Sequence, residues 1–211
     1  MRRPQVSMWF YPHPRFPRRS ASDAGWASDL NLLAGKFIEF SRELVPGVRR
    51  VAVMFNPENQ GSARGYHMLE PLAPTSGIEL IPAPVATSEQ LEPALAALAR
   101  ERPQVLFVHP TPPISLYSAR IAKFAIGHGI AALANAGNQV REGCLLSYGP
   151  DYEEMAGRTA YYVDRILRGA APSDLPVELA AFWLIINLAT ARALGVTISA
   201  SMLARADEVI E

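Results

Sequence analysis

The residues of this sequence that could do chemistry are small polar side chains placed where short apolar runs end. They are Asn56, Asn59, Ser62, His109, Thr111, Asn135, Tyr148 and Asp151. Amides, hydroxyls and an imidazole can hold a small polar ligand by hydrogen bonds. They supply neither the paired acid and base of general acid–base catalysis nor the ligand set of a metal site. This set of residues favours a binding site with no catalytic residue, no metal and no cofactor.

Catalysis by His109 is the enzymatic alternative. His109 is the one imidazole at the end of a predicted strand, and the sequence identifies no acid or nucleophile to act with it. The chain has no G-x-G-x-x-G after a predicted strand, no P-loop, no G-x-S-x-G and no H-E-x-x-H. A lone histidine more often packs or hydrogen-bonds than catalyses. We therefore predict that the protein is not an enzyme, and that Cys144 is a buried small apolar residue.

Alternating strands and helices between residues 28 and 147 position these side chains. The apolar runs RRVAVMF, IELIPAPV, QVLFVHP, IAALAN and CLLSYG predict five strands. Helical spacing recurs between them, as in the helix predicted to begin at a Ser88 cap, and AGNQVREG is predicted as a loop. The alternation predicts an α/β fold with three αβα layers around a parallel, doubly wound sheet. Ligands bind such sheets beyond the carboxyl ends of the strands, where the polar residues lie.

The composition limits the class of protein and its partners. Of the 211 residues, 49% are hydrophobic and 19% are charged, which is enough apolar material for a folded core. The formal net charge is zero, so nucleic acid is not expected as a partner. One cysteine excludes an internal disulfide, and no run predicts a membrane span. The sequence shows no export signal after Met1, which taken alone predicts a cytoplasmic protein.

Residues 1–27 are predicted to form an irregular tail. They are rich in arginine, proline and aromatic residues, have no acid before Asp23 and show neither helical nor strand periodicity. Prolines remove backbone donors and restrict their neighbours, which disfavours regular structure. A basic arm for nucleic acid is the functional alternative. We favour a tail outside the fold, translated from a wrongly chosen start, because no other basic patch supports the arm.

One further helix is predicted after the fifth strand. Asp151 is expected as its N-cap, with Glu154 completing a capping box, and Gly169 as its left-handed end. Its apolar positions are Met155, Thr159, Tyr162, Val163, Ile166 and Leu167. The run FWLIINL follows, and then a short helix LATARALG and a last helix SASMLARADEVIE. C-terminal helices are therefore expected beyond the α/β lobe.

These segments resemble the ABC-transporter substrate-binding protein family that includes binders of tryptophan and other aromatic amino acids. The resemblance is carried by SYGPDYEEM, YVDRILRGAAPSDLPVE, INLATARALGVTI and SMLARADEVIE, and by VPGVRRVAVMFNPENQGS and ALARERPQVLFVHP. It covers about residues 30 to 211. It implies a type I periplasmic-binding-protein fold, in which two α/β lobes close on a small solute and deliver it to an ABC permease. It also implies an exported protein, periplasmic or lipid-anchored, that is not an enzyme.

The same resemblance implies that a first lobe and an export signal are missing from this sequence. Residues 28–147 correspond to the second lobe, and residues 148–211 to a crossover segment that would complete the first. In the family, the helix opening at Asp151 packs on the sheet of the first lobe. We therefore expect this helix to fold against the second lobe, to join another chain as a homo-oligomer through residues 151–168, or to stay poorly ordered.

The resemblance also implies roles for the polar residues. Asn56, Asn59 and Ser62 are the nearest matches to a loop that holds a ligand carboxylate at a helix N-terminus. Thr111 and Asn135 match the next strand ends by position rather than by residue type. The implied ligand is an aromatic amino acid, although other solutes fit the same fold.

Tyr148 lies in the hinge-like SYG segment and would flank the ligand. Ordinary loop capping is an alternative role for each of these polar residues. Two alternatives to a transport function also remain. The chain could be a cytoplasmic ligand-sensing or oligomerisation module, or a truncated product that has kept its fold and lost its function.

Overall fold

The structure is a computed structural model that describes residues 25–27 and 30–211. Its strands are β1 Gly25–Ala27, β2 Arg50–Phe55, β3 Glu79–Pro84, β4 Val105–Val108, β5 Ala131–Ala134, β6 Leu146–Pro150, β7 Val177–Leu179, β8 Phe182–Asn187 and β9 Glu208–Ile210. Its helices are α1 Leu30–Leu44, α2 Gln60–Leu69, α3 Leu72–Thr75, α4 Leu91–Glu101, α5 Ser118–Gly127, α6 Gly137–Arg141, α7 Tyr152–Leu167, α8 Leu188–Leu194 and α9 Ala200–Arg205. No described helix is both long enough and apolar enough to cross a membrane.

Seven of the strands form one sheet, in the order β3-β2-β4-β5-β6-β8-β9. Every neighbouring pair in it is parallel except β6 and β8, which run antiparallel. Strands β1 and β7 pair in parallel in a separate two-stranded sheet. The predicted α/β class and parallel, doubly wound sheet are confirmed.

Alternate residues of each strand enter two separate apolar clusters, one on each face of the sheet. Val51, Val53 and Phe55 of β2 face the cluster that contains side chains of α1, α2, α8 and α9. Ala52 and Met54 face the cluster built with α4 and α5. Since successive side chains of a strand point to opposite faces, both faces must be covered, which makes three layers.

Three local predictions differ from the structure. The helix predicted to begin at Ser88 is capped one residue earlier, because Thr87 forms a capping box with Gln90. The predicted loop 136–143 contains the short helix α6. The last predicted helix ends at Arg205, and Glu208–Ile210 becomes β9 instead. Backbone pairing of this segment with β8 prevails over its helical pattern, since tertiary context overrides local propensity.

The predicted boundaries of the lobe also differ from the arrangement of the elements. β1 lies inside the predicted irregular tail, and the rest of that tail lies outside the described residues. β8 and β9 extend the seven-stranded sheet, and Ala191 of α8 and Met202 of α9 enter one of its apolar clusters. Residues 182–210 therefore complete the lobe on which β2–β6 are built.

Helix α7 begins where the sequence predicts, with Asp151 Oδ1 accepting hydrogen bonds from the backbone N–H groups of Glu153 and Glu154 at 2.9 and 3.1 Å. Within the described part of the chain no return bond from the Glu154 side chain is found, so the capping box is half formed. Gly169 follows with φ +98°, the left-handed conformation that suits glycine at a helix end. Among the described residues of α7, Tyr162 is the one buried side chain.

Candidate functional site

The candidate site lies at the carboxyl ends of β2, β4 and β5, which are neighbours in the sheet. Met54 pairs with Val108, and Val108 with Ala134, so the three strands reach the same level. His109 and Asn135 are the next residues after β4 and β5. The sheet therefore places the predicted polar residues of these three strands side by side where the strands end, as the topology rule requires. We call this end of the sheet the carboxyl edge.

The loop after β2 is held by its own polar side chains. The Ser62 hydroxyl accepts a hydrogen bond from the Asn56 backbone N–H at 3.0 Å, and Asn59 Oδ1 accepts one from the Ser62 backbone N–H at 2.9 Å. The Asn56 amide donates to the carbonyl of Pro112 at 2.7 Å, and Thr111 Oγ1 donates to Ser62 Oγ at 3.3 Å. These contacts join the β2 and β4 loops, so four predicted site residues shape one wall.

The N-terminus of α2 opens at this wall. Asn59 is the N-cap and satisfies the N–H of Ser62, while the N–H of Ala63 bonds to the Asn59 carbonyl at 2.9 Å. The backbone N–H groups of Gln60 and Gly61 have no partner within the described part of the chain. Free N–H groups and the positive end of a helix dipole attract a carboxylate.

His109 presents a buried imidazole at the same edge. The ring is 6% exposed, and its Nε2 atom has no hydrogen-bond partner among the described residues. Burial lowers the pKa of His109 from 6.5 to about 4, so the ring is neutral at neutral pH. A neutral ring can accept or donate one hydrogen bond at Nε2, depending on its tautomer.

Helix α2 makes room for that ring through Gly65. A Cβ atom at this position would lie 2.3 Å from Cε1 of His109, closer than non-bonded carbon atoms approach. Phe107 flanks the ring from β4, with ring centroids 4.6 Å apart. Packing against a glycine and a phenylalanine therefore sets the orientation of the imidazole.

Asn135 is the second buried polar group without a partner. It is 8% exposed, and its Oδ1 atom has no hydrogen-bond donor in the part of the chain that the structure describes. Its backbone lies against Gly149 of β6, where a Cβ atom would come within 2.0 Å of the Asn135 carbonyl oxygen. An unpaired buried acceptor costs about 1–3 kcal/mol, which a ligand donor would recover.

Aromatic rings lie beside this edge. Tyr148 of β6 is half-buried and makes edge-on contacts with Phe40 and Phe182, with centroids 5.4 Å away in each case. Phe55 stacks on Tyr66 of α2 at 4.4 Å. Asp151, the eighth predicted site residue, has one carboxylate oxygen committed to the cap of α7. The structure thus gives Asp151 a capping role.

Three contributors to the site are absent from the prediction. Gly65 and Gly149 make the close approaches just described, and the Pro112 carbonyl anchors Asn56. Gly65 could have been found, since an isolated glycine inside a helical pattern usually has a packing reason. Gln139 of α6 is fully buried with both amide atoms unpartnered among the described residues, and no sequence signal distinguishes it from a loop residue.

The surroundings of His109 and Cys144 decide what chemistry these two side chains can do. His109 makes no hydrogen bond to a carboxylate within residues 25–27 and 30–211, and no group of three metal-ligating side chains occurs there. Burial, reinforced by Glu142, raises the pKa of the Cys144 thiol to about 12, which keeps it protonated and unreactive. The edge offers donors and acceptors for a small polar molecule.

A cavity lies at the opposite end of the lobe. Its volume is about 760 Å³, and its lining includes Leu44, Leu98, Gln104, Ile130 and Val196. These residues lie at the C-terminal ends of helices or beside the amino ends of β4 and β5. Because the strands are parallel, this cavity is separated from the candidate site by the length of the sheet.

Comparison with known proteins places the chain in a family. A family model described as ABC transporter substrate binding protein matches residues 24–210. A tyrosine-binding protein of Clostridioides difficile (strain R20291) is 27% identical over 161 residues, which is 75% of this chain and 46% of that protein. The chain therefore spans less than half the length of that relative.

Three solved structures share the fold. A conserved domain protein of Vibrio cholerae superposes with a TM-score of 0.77 at 27% identity, covering 88% of this chain and 62% of the other. An ABC domain in complex with L-Trp from Streptococcus pneumonia gives a TM-score of 0.77 at 19% identity, covering 89% and 62%. A periplasmic binding protein/LacI transcriptional regulator from Alkaliphilus metalliredigens QYMF also superposes, with a TM-score of 0.55 at 12% identity, covering 78% of this chain and 64% of the other. Together these likenesses confirm the type I periplasmic-binding-protein fold expected from the sequence. With the family match extending over nearly all the described residues, this chain belongs to the ABC transporter substrate-binding protein family.

Proposed function

We propose that the chain captures an amino acid at the carboxyl edge of β2, β4 and β5 and releases it unchanged to an ABC permease. One observation carries the proposal. Among the described residues, His109 Nε2 and Asn135 Oδ1 are buried without hydrogen-bond partners at adjacent strand ends, and the N–H groups of Gln60 and Gly61 at the start of α2 are also unpartnered. A ligand that bears both a carboxylate and an ammonium group can satisfy both the unpartnered N–H donors and the unpartnered acceptor.

The roles of the ligand groups follow from the chemistry of the edge. The carboxylate is placed at the N-terminus of α2, where Asn59 and Ser62 fix the loop. The ammonium group donates to Asn135 Oδ1, which is an acceptor only. The neutral imidazole of His109 makes one further hydrogen bond to the ligand through Nε2. An aromatic side chain is favoured because Tyr148, Phe40 and Phe182 form a ring cluster nearby, and because similar proteins are named for tyrosine and L-Trp.

Membership of the family supports a partner and a location for the protein. Substrate-binding proteins of ABC transporters work outside the cytoplasm and deliver small solutes to a permease. We propose the same partner and an exported location for the protein to which these residues belong. Because the chain spans 46% of the tyrosine-binding protein, closure of a second lobe over this edge is also part of the proposal.

Thermal unfolding with and without amino acids tests the proposal. The midpoint should rise with the logarithm of the concentration of tryptophan, tyrosine or phenylalanine, because a ligand that binds only the folded state stabilises it by mass action. Glutamate should give a smaller shift, since a second carboxylate would face the ring cluster. No shift with any amino acid would overturn the proposal.

A matched pair of variants locates the binding. Asn135→Ala should weaken binding about tenfold or more, since it removes the acceptor proposed for the ammonium group. Asn138→Ala is the control, because Asn138 lies three residues further along and is exposed. Equal losses in both variants would place the ligand elsewhere.

A further inference from the structure

The cavity at the amino end of the sheet lies where four helices end. Its lining comes from the last residues of α1 and α4 and from the residues that follow α5 and α8. Leu44 belongs to the apolar cluster on one face of the sheet, and Leu98 and Ile130 belong to the cluster on the other face. The volume of about 760 Å³ is in the range of cavities that hold small molecules. None of the described residues that line it belongs to the carboxyl edge, so a ligand here would occupy a second site.

Gln104 presents an oriented amide in the lining of this cavity. Its Oε1 atom accepts hydrogen bonds from the backbone N–H groups of Arg49 and Arg50 at 2.7 and 3.2 Å. The oxygen is therefore the end of the amide that is bound to the protein. The Nε2 group has no acceptor among the described residues, so its two N–H donors remain for a ligand.

Arg102 supplies a positive charge in the same lining. It is the C-cap of α4 and has φ +50°, so a residue other than glycine holds the left-handed conformation there. Glycine is the usual residue in this conformation at a helix end, because a Cβ atom makes it costly. The side chain is exposed, and its guanidinium forms no ion pair in the described part of the chain. The chain thus keeps an unpaired guanidinium at the cavity, in a conformation whose cost points to a function.

The negative groups beside Arg102 already have partners. Glu43 is the one acid among the described residues that line the cavity, and its Oε2 atom is paired with Arg205 at 2.7 Å. At the end of α4, Arg50 binds both the carbonyl and the carboxylate of Glu101. This pairing offsets the negative end of the helix dipole where it is closest to Arg102. The charge left without a partner among the described residues of the lining is therefore that of the Arg102 guanidinium.

We propose that this cavity binds a small organic acid with an apolar body. Arg102 and the Gln104 amide donate hydrogen bonds to its carboxylate, because a guanidinium pairs strongly with that group. The hydrocarbon part packs against Leu44, Leu98 and Ile130, which removes apolar surface from water. An amine of the same shape would meet N–H donors and a positive charge, so the site should reject it. The proposal is independent of the ligand at the carboxyl edge, which lies at the opposite end of the sheet.

Nuclear magnetic resonance of the isotope-labelled 211-residue chain tests the proposal, with octanoate as the probe. The backbone amide signals of Arg102, Gly129 and Val196 should shift and saturate as octanoate is added. Those of Gly61 and Asn135 at the carboxyl edge should stay in place. Octylamine carries the same hydrocarbon chain on a positive head group and should cause no saturating shift. No response to octanoate, an equal response to octylamine, or a response confined to the carboxyl edge would each overturn the proposal.

Two substitutions at Arg102 separate binding from folding. Arg102→Met keeps a Cβ atom at this position and removes the charge, so it should weaken octanoate binding about tenfold or more. Arg100→Met is the matched control, because Arg100 is exposed in the same helix and outside the lining, and it should leave the affinity unchanged. Arg102→Gly should also lose binding, yet it should raise the thermal midpoint of the free chain, because glycine suits a positive φ. Undiminished affinity in both Arg102 variants would contradict the proposal.

Discussion

The seven-stranded lobe and helix α7 use their apolar residues in opposite ways. In the lobe, Leu145 and Leu146 enter the sheet and are fully buried. In α7, the apolar residues Val163 and Leu167 are spaced four residues apart on one side of the helix, yet they are 50 and 82% exposed. Residues of the same type are thus buried in one region and exposed in the other, only a few turns along the chain.

The two regions are alike in their local signals. Asp151 caps α7, and Asn187 and Ser199 cap α8 and α9 in the lobe, each through its own side chain. The caps fix where helices begin because they satisfy the first free N–H groups. They carry no information about which surface will cover the helix. The difference between the regions is therefore tertiary.

Truncating one leucine in each region tests this difference most directly. Leu145→Ala should lower the free energy of unfolding by about 3 kcal/mol, because it leaves a cavity in a fully packed face of the sheet. Leu167→Ala should change it by less than about 0.5 kcal/mol, because the side chain is already in water. Urea denaturation at a concentration where the chain is monomeric measures both. Equal losses would show that α7 is covered within one chain.

The sequence predicted the fold well because the signals for strands and helices are local. Five apolar runs gave β2 to β6, and glycines and caps marked the helix ends. β9 was missed because Glu208–Ile210 follows a helical pattern and becomes a strand only by pairing with β8. β1 was missed because it is three residues long and depends on β7 in the same way.

For the candidate site, the sequence identifies strand-end positions more readily than it identifies the roles of the residues there. Asn56, His109 and Asn135 follow from the rule that ligands bind at strand ends. Asp151 was included for the same reason, yet its carboxylate caps a helix. The close approaches at Gly65 and Gly149 depend on how separate elements pack, so spacing along the chain cannot reveal them.

Gly65→Ala tests the packing of the site against the lobe. The new Cβ would lie 2.3 Å from Cε1 of His109, so the imidazole must move or α2 must shift. We expect a loss of about 2 kcal/mol in unfolding free energy, although alanine is the better helix former by about 1 kcal/mol. Chemical denaturation followed by circular dichroism measures the change.

A neighbouring substitution and a double variant show whether His109 is responsible. Gly61→Ala, in the same helix, meets only Asn59 Oδ1 at 3.4 Å and should be neutral or stabilising. Combining Gly65→Ala with His109→Ala should recover most of the loss because the clashing ring is gone. If the double variant is no more stable than Gly65→Ala alone, contact with the imidazole is not the cause.

Removing the ion pair between Arg158 and Glu178 tests how firmly α7 is held to β7. Hydrogen bonding to Arg158 holds the pKa of Glu178 below its ordinary value of 4.5, and burial opposes this. A carboxyl with a lower pKa in the folded state stabilises that state above pH 4.5, and this contribution is lost as the pH falls through the folded pKa. Arg158→Met should therefore loosen α7 by about 1 kcal/mol at neutral pH, a figure kept small by partial exposure.

Amide hydrogen exchange of residues 152–167 measures this effect, because local opening of α7 need not involve the lobe. The difference in exchange rate between the original chain and Arg158→Met should vanish at a pH low enough to protonate Glu178 in the folded as well as the unfolded state. Arg165→Met makes the same change in the same helix, where no ion pair of Arg165 is found among the described residues, and should leave exchange unaltered. If exchange in the lobe rises as much as in α7, the two regions unfold together. The contrast between them would then be one of exposure and not of independent stability.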